Sequence, residues 1–274
     1  MKDVEILSHI KSWGEHGFIT ALNDIKEIGF DGFEADASIV ELYEDRMEVF
    51  QEILKENMTQ LVTLGMWTRF YNAELIEEDV EHILNCVRFA KTNETRIVTV
   101  ALGSTKLPKG FEIDWKVIAE GLTEAGKRSA KLGVRLAVMP QLGTFVQTDK
   151  DLKLIMKKTV AKYVSVCLDT AFFSLQRISI PSFIQKHGRR IAHIHFRDIH
   201  IPRAKKPLDR MTIPRVYPLG KGDIAFKRIA SALRKSSFSG TISLYLDEPL
   251  KDTPRREAQA SYEFMEKTLN LIPE

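Results

Sequence analysis

The stretch Ile191-Ala-His-Ile-His-Phe-Arg-Asp198 decides the fold. Side chains alternate along a β-strand, so His193, His195 and Arg197 share one face while Ala192, Ile194 and Phe196 share the other. The same split recurs along the chain. Val62/Leu64/Met66, Val98/Val100/Leu102, Val164/Val166/Leu168 and Ile242/Leu244/Leu246 form apolar faces. Glu34, Asp36, Thr63, Trp67, Thr99, Arg135, Met139, Gln141, Ser165, Cys167, Asp169, Ser243, Tyr245 and Asp247 fall on the opposite ones. A chain that aims His, Asp, Glu and Arg at a common interior is building a site rather than a plain core.

Strand patterns over 4–9, 30–36, 60–66, 96–102, 134–140, 163–169, 190–197 and 240–247 alternate with amphipathic helical stretches near 17–28, 40–56, 75–91, 115–131, 149–160, 179–188, 224–235 and 254–270. Ile76, Val80, Ile83, Leu84, Val87 and Ala90 trace one helical stripe, and Ala258, Tyr262, Met265 and Leu269 another. Thr253-Pro254 reads as N-cap and first-turn proline of the last helix. Eight β-then-α units over about 250 residues predict an α/β fold, a (β/α)8 TIM barrel. A doubly wound open sheet is the alternative, but no G-x-G-x-x-G loop supports it. With no low-complexity linker, residues 1–274 read as a single domain. One long connection, residues 198–220, leaves the seventh strand.

The 274 residues are 44% hydrophobic and 28% charged, with net charge +3. No dense Lys/Arg cluster interleaves with aromatics, which argues against nucleic acid. No apolar run reaches the roughly 20 residues of a membrane span. Met1-Lys-Asp-Val-Glu5 lacks the apolar region of a signal peptide, and Cys86 and Cys167 lie in apolar segments as buried thiols. These features point to a cytoplasmic enzyme or binding protein.

Active sites of TIM barrels lie at the C-terminal strand ends. Glu34, Asp36, Trp67, Met139, Gln141, Asp169, His195, Arg197, Tyr245 and Asp247 fall there. Several ionisable groups in one cleft shift one another's pKa, as acid–base catalysis requires. Deeper polar residues such as Arg135, Ser165 and His193 read as hydrogen-bonded barrel structure, and Cys167 as packing. Glu34 and Asp36 have two readings, catalytic groups or interior ion-pair partners of Arg135 or Arg197.

Six segments in order carry a resemblance. They are Gly29-Phe-Asp-Gly-Phe-Glu34, Gly133 to Thr148, Cys167-Leu-Asp-Thr-Ala-Phe172, His193-Ile-His-Phe-Arg-Asp198, Leu219-Gly-Lys-Gly-Asp223 and Gly240-Thr-Ile-Ser-Leu-Tyr-Leu-Asp247. The chain resembles, almost end to end, the xylose isomerase-like TIM barrels, the sugar phosphate isomerase/epimerase group that includes inosose dehydratase. That resemblance implies one divalent metal, often manganese, held by Glu, Asp, His and Glu from strands five to eight. Here the aspartate is Asp169 and the histidine His195, but Met139 and Tyr245 stand at the two glutamate positions and Phe172 replaces the histidine of strand six. A thioether is a poor ligand for a hard cation.

Three readings stay open. One is an isomerase, epimerase or dehydratase that works without the metal, by proton transfer next to a carbonyl of a small sugar-like or cyclic keto/hydroxy substrate. Its catalytic groups would be Asp169, His195, Glu34, Tyr245 and Arg197. His195 would act as general acid or base, Arg197 would hold an oxyanion or carboxylate, and Tyr245 would be an acid whose pKa a nearby cation lowers. Trp67, Gln141, Met139, Asp247 and His200 would bind the substrate. The second is a metal enzyme whose shell keeps Asp169 and His195 and drafts Gln141, Asp198 or Asp247 to hold manganese. The third is a non-catalytic ligand-binding homologue or partner subunit. The family also implies homo-oligomers as an option.

Between Asp198 and Gly220 lie Arg203, Lys205, Lys206, Arg210 and Arg215 against one acid, Asp209. A basic loop over the barrel mouth would steer an anionic small molecule inward; a solvated surface loop is the other reading.

Overall fold

A computed structural model describes residues 4–70, 73–104, 112–202, 214–246 and 254–271. In chain order its elements are β1 (Ile6–His9), α1 (Phe18–Ile28), β2 (Gly32–Asp36), α2 (Ser38–Tyr43), α3 (Met47–Glu56), β3 (Leu61–Thr68), α4 (Ile76–Thr92), β4 (Ile97–Leu102), α5 (Trp115–Lys131) and β5 (Arg135–Val138). There follow α6 (Asp149–Lys158), β6 (Val164–Asp169), α7 (Thr170–Leu175), α8 (Ile180–His187), β7 (Ile191–Phe196), β8 (Asp198–Ile199), β9 (Val216–Tyr217), α9 (Phe226–Arg234), β10 (Thr241–Leu244) and α10 (Pro254–Glu263).

Eight parallel strands close in the order β1-β10-β7-β6-β5-β4-β3-β2, which is the expected (β/α)8 barrel. β2 and β6 are diametrically opposed, with β3, β4 and β5 between them one way and β1, β10 and β7 the other. Outward-facing Phe33, Leu64, Val98, Val100, Leu136, Val166, Ile194 and Leu244 join the helices in one continuous core. That burial is the main source of stability.

Capping follows the sequence. Thr148 and Asp151 form a capping box on α6. Asp114 accepts from the Lys116 and Val117 N–H groups at the start of α5.

The expected helix over 40–56 is two helices. The chain turns at Glu44–Arg46, where Arg46 adopts φ −137°, ψ 44°, outside the helical region. The last helix starts at Pro254 as expected and ends in a wide turn over Phe264–Thr268, while Thr253 lies outside the described residues. Among the described residues no helix is long and apolar enough to cross a membrane.

The long connection is clasped at both ends. Asp198 and Ile199 pair antiparallel with Tyr217 and Val216. The Asp198 carboxylate accepts from the N–H groups of Gly220 at 2.8 Å, Gly222 at 2.9 Å and Ile224 at 3.2 Å. A Cβ on Gly222 would meet Asp198 Oδ1 at 2.3 Å, so only glycine lets the backbone come this close. This explains Gly222 of Leu219-Gly-Lys-Gly-Asp223, while Gly220 adopts φ +84°, the left-handed region. It also corrects the expectation that Asp198 could join a metal shell, because its oxygens already serve this turn. Residues 203–213, including Arg203, Lys205, Lys206, Asp209 and Arg210, lie outside the described residues.

Candidate active site

A cavity of about 340 Å³ opens at the C-terminal strand ends. His9, Lys11, Glu34, Asp36, Trp67, Thr99, Met139, Gln141, Asp169, His195, Arg197 and Tyr245 line it. Nine of the ten residues expected at those ends are therefore in its wall, and the tenth, Asp247, lies outside the described residues. His200 does not join them. It stands exposed beside Asp223, Nδ1 to Oδ1 3.3 Å, with its ring against Tyr217.

A chain of alternating charges forms the floor. His195 Nε2 donates to Glu34 Oε1 at 2.9 Å, and His193 Nε2 donates to Glu34 Oε2 at 3.0 Å. The Thr241 hydroxyl donates to His193 Nδ1 at 2.6 Å. These roles are assigned from the hydrogen-bond network. On its other edge His195 Nδ1 lies 3.8 Å from Asp169 Oδ2, and Arg197 Nη1 lies 3.3 Å from the same oxygen. Asp169 Oδ1 accepts from the Phe172 N–H at 2.8 Å, so the residue also caps α7. The Thr170 hydroxyl donates to the Arg197 carbonyl at 2.7 Å and accepts from its N–H at 2.8 Å, which pins Arg197 beside Asp169. The Arg197 guanidinium lies over the Tyr245 ring, 4.9 Å from its centroid.

Protonation follows from this geometry. Burial works against a charged Glu34, but His195 and His193 outweigh it and hold the carboxyl well below its ordinary 4.5. Burial also works against a charged His195. The Cys167 sulfur, 3.8 Å from His195 Nδ1, and the Glu34 and Asp169 carboxylates at its edges outweigh that penalty and raise the imidazole well above 6.5. Burial lowers His193, which stays neutral. Burial opposes an ionised Asp169, yet Arg197, His195 and the Phe172 N–H leave it lowered. Burial raises the Cys167 thiol, with His195 pulling the other way.

Two expectations are corrected here. Glu34 pairs with the two histidines, not with an arginine, and Asp36 Oδ1 lies 3.7 Å from His9 Nε2. Arg135 instead reaches Ser165 Oγ at 3.4 Å and the Ile191 carbonyl at 3.5 Å. The Tyr245 phenol is pushed up, not down, because burial, helped by Asp36, outweighs Arg197 and His195. It is a neutral hydrogen-bond donor.

Sequence reasoning missed His9 and Lys11. His9 ends β1 in register with Glu34, and its Nδ1 accepts from the Lys11 N–H at 3.1 Å. A histidine closing the first strand was the available signal.

The donor set at the family's metal positions does not fit a divalent cation. Asp169 Oδ2 already faces Arg197 and His195, Met139 offers only a thioether, and Tyr245, its phenol pushed up, supplies no charge. Met139 instead packs on Ile97, Ala137 and Cys167. A second group, Cys167, His193 and His195, brings one ligand atom each within 4.8 Å of the others. Cysteine and histidine are zinc ligands, so this buried trio makes a metal possible by its chemistry, although Glu34 already takes an N–H from each imidazole.

The model of the xylose isomerase-like TIM barrel matches residues 22–268. The chain belongs to this family. Among curated relatives, inosose dehydratase of Salmonella agona (strain SL483) is 28% identical over 173 residues, 60% of this chain and 58% of the relative. The chain thus spans less than two thirds of the length of the curated relatives it matches. Two solved structures share the barrel. The IOLI protein with a binding zinc atom superposes with TM-score 0.79 at 19% identity, over 98% of this chain and 99% of that one. D-psicose 3-epimerase with D-tagatose from Clostridium cellulolyticum H10 gives 0.77 at 16%, over 97% and 99%. At these identities the two structures speak for the fold alone.

Proposed function

We propose that this member of the xylose isomerase-like family isomerises, epimerises or dehydrates a small polyhydroxylated keto compound by moving a proton next to its carbonyl. The observation that carries the reading is the alternation Glu34, His195, Asp169, Arg197 on the cavity floor. His195 and Arg197 place two cationic N–H donors around one carboxylate. A carbonyl oxygen set against them would be polarised and its enolate stabilised, the task of a Lewis acid in metal-dependent relatives. Asp169, beside both donors, would take the proton from the adjacent carbon. Asp36 projects from β2 on the opposite wall and lines the same cavity. It would serve as the acid or base on the other face of the substrate. Glu34 would act as a positioning residue, fixing the His195 ring and its charge. Tyr245 would donate to the substrate as a neutral phenol. The curated relatives' substrate, an inosose, is a cyclic polyhydroxy ketone of this class.

A binding-only homologue is the second reading, favoured by Met139 filling a carboxylate position. Incubation with inosose and with ketohexoses in D2O separates the two. Deuterium entering the carbon next to the carbonyl, seen by proton NMR, supports catalysis. Saturable binding without exchange supports the second reading.

A further inference from the structure

Gly65 sits in β3 facing Thr99 of β4, and both line the cavity wall. A Cβ placed on Gly65 would stand 3.4 Å from Thr99 Oγ1, 3.7 Å from Asp36 Oδ1 and 3.8 Å from the Ala35 carbonyl oxygen, with nothing closer. The absent side chain therefore leaves a hollow of about one heavy atom, ringed by three oxygens. Thr99 is fully buried, and its hydroxyl has no hydrogen-bond partner among the described residues. A ligand atom in the hollow would give that buried hydroxyl the partner it lacks.

The three oxygens select what fits. The Asp36 carboxylate and the Ala35 carbonyl only accept hydrogen bonds, whereas the Thr99 hydroxyl donates or accepts. A carboxylate or phosphate oxygen would meet two acceptors and be repelled. Lys11, in the same wall, disfavours an ammonium. A hydroxyl meets both side chains, donating to Asp36 Oδ1 while accepting from Thr99. We propose that Gly65, Thr99 and Asp36 form a subsite for one hydroxyl group of the ligand, a specificity pocket on the wall away from His195 and Arg197. The inference rests on the polyol reading above, and it assigns a ligand hydroxyl to the end opposite the carbonyl.

The test is binding, independent of turnover. Titration calorimetry would compare myo-inositol with its six single-deoxy analogues. For wild type, loss of one particular hydroxyl should weaken binding about tenfold. Thr99→Val, which keeps the shape of the side chain, should weaken myo-inositol by the same factor and level it with that one analogue, while Thr99→Ser should recover wild-type affinity. Gly65→Ala should fill the hollow and act like Thr99→Val, since Gly65 has no left-handed φ to strain an alanine. Unchanged affinities in both Thr99→Val and Gly65→Ala, or no binding of myo-inositol to wild type, would overturn the proposal. The predicted binding pattern without deuterium exchange would sink the catalytic reading and leave the subsite standing.

Discussion

Glu34 Oε1 accepts a hydrogen bond from His195 Nε2 at 2.9 Å inside the closed barrel. The other oxygen of the same carboxylate holds His193 at 3.0 Å, yet the two imidazoles differ in charge. His195 has the Cys167 sulfur and a second carboxylate, Asp169, at its far edge; His193 has a threonine hydroxyl there. One acid therefore sits between a cation and a neutral ring, and stability should depend on pH in two opposite ways.

For His195 the folded-state pKa lies above the unfolded 6.5. Its stabilisation is complete below pH 6.5 and is lost as pH rises through the raised value. For His193 the folded value lies below 6.5. Its contribution is complete above pH 6.5 and is lost as pH falls through the lowered value. Denaturant midpoints measured from about pH 5 to 9 should crest near neutrality. His195→Gln should flatten the alkaline limb and His193→Gln should reduce the acid one. An alkaline limb unchanged in His195→Gln would show that His195 is not held protonated.

Glu34→Gln keeps the shape and removes the charge that both histidines share. Breaking one partner of a buried ion pair typically costs about 3–5 kcal/mol. A loss of that order is expected by chemical denaturation, together with a fall of the His195 pKa toward its ordinary value by NMR. A variant as stable as wild type, with His195 titrating as before, would remove Glu34 from its positioning role.

Asp198 gives a structural control away from the cavity. Asp198→Ala strips the acceptor from three backbone N–H groups. A cost of about 1–3 kcal/mol is expected, chiefly from leaving the buried Ile224 N–H unmet. Gly222→Ala should cost a similar amount by forcing its Cβ onto the same carboxylate. The double variant should be little worse than either alone, because both changes break one contact. Additive losses in denaturant melts would show that the glycine and the aspartate act separately.

The barrel was legible because each strand shows its two faces in the order of its residues, and the inward set contains most of the cavity wall. What stayed hidden had physical reasons. β1 is four residues long, Ile-Leu-Ser-His, too short for alternation to single out His9. The Glu34–His195 bond spans the interior between β2 and β7, strands separated by β1 and β10, and no local spacing encodes that reach. The direction of the Tyr245 shift depended on burial outweighing nearby cations, which residue identity does not reveal. His200 looked like a mouth residue, but the Asp198 clasp turns the chain so that it meets Asp223 instead.

Metal retention tests the donor-set argument. Protein incubated with excess manganese and then desalted should hold well under one ion per chain, by elemental analysis, because neither Met139 nor Tyr245 supplies charge and Asp169 Oδ2 is already engaged by Arg197 and His195. The same experiment with zinc probes Cys167, His193 and His195. Zinc near one per chain that disappears in Cys167→Ala would assign a buried metal to that trio, and the floor would then be a metal site and not an ion-pair chain.

Asp169 and Asp36 occupy opposite walls, on β6 and β2. If they work on opposite faces of one carbon or on neighbouring carbons, their removal should separate two half-reactions. Asp169→Asn keeps an oxygen to accept from Phe172 N–H and so preserves the cap of α7. It should abolish deuterium wash-in from D2O by at least about a hundredfold, the usual contribution of a positioned base. Asp36→Asn should leave wash-in into the starting ketone measurable but stop formation of the epimer or dehydrated product. Equal loss of both signals in both variants would mean that each proton transfer needs both carboxylates and that the half-reactions do not separate. Wash-in undiminished in Asp169→Asn would remove Asp169 from the chemistry and return the base to Asp36 on the far wall.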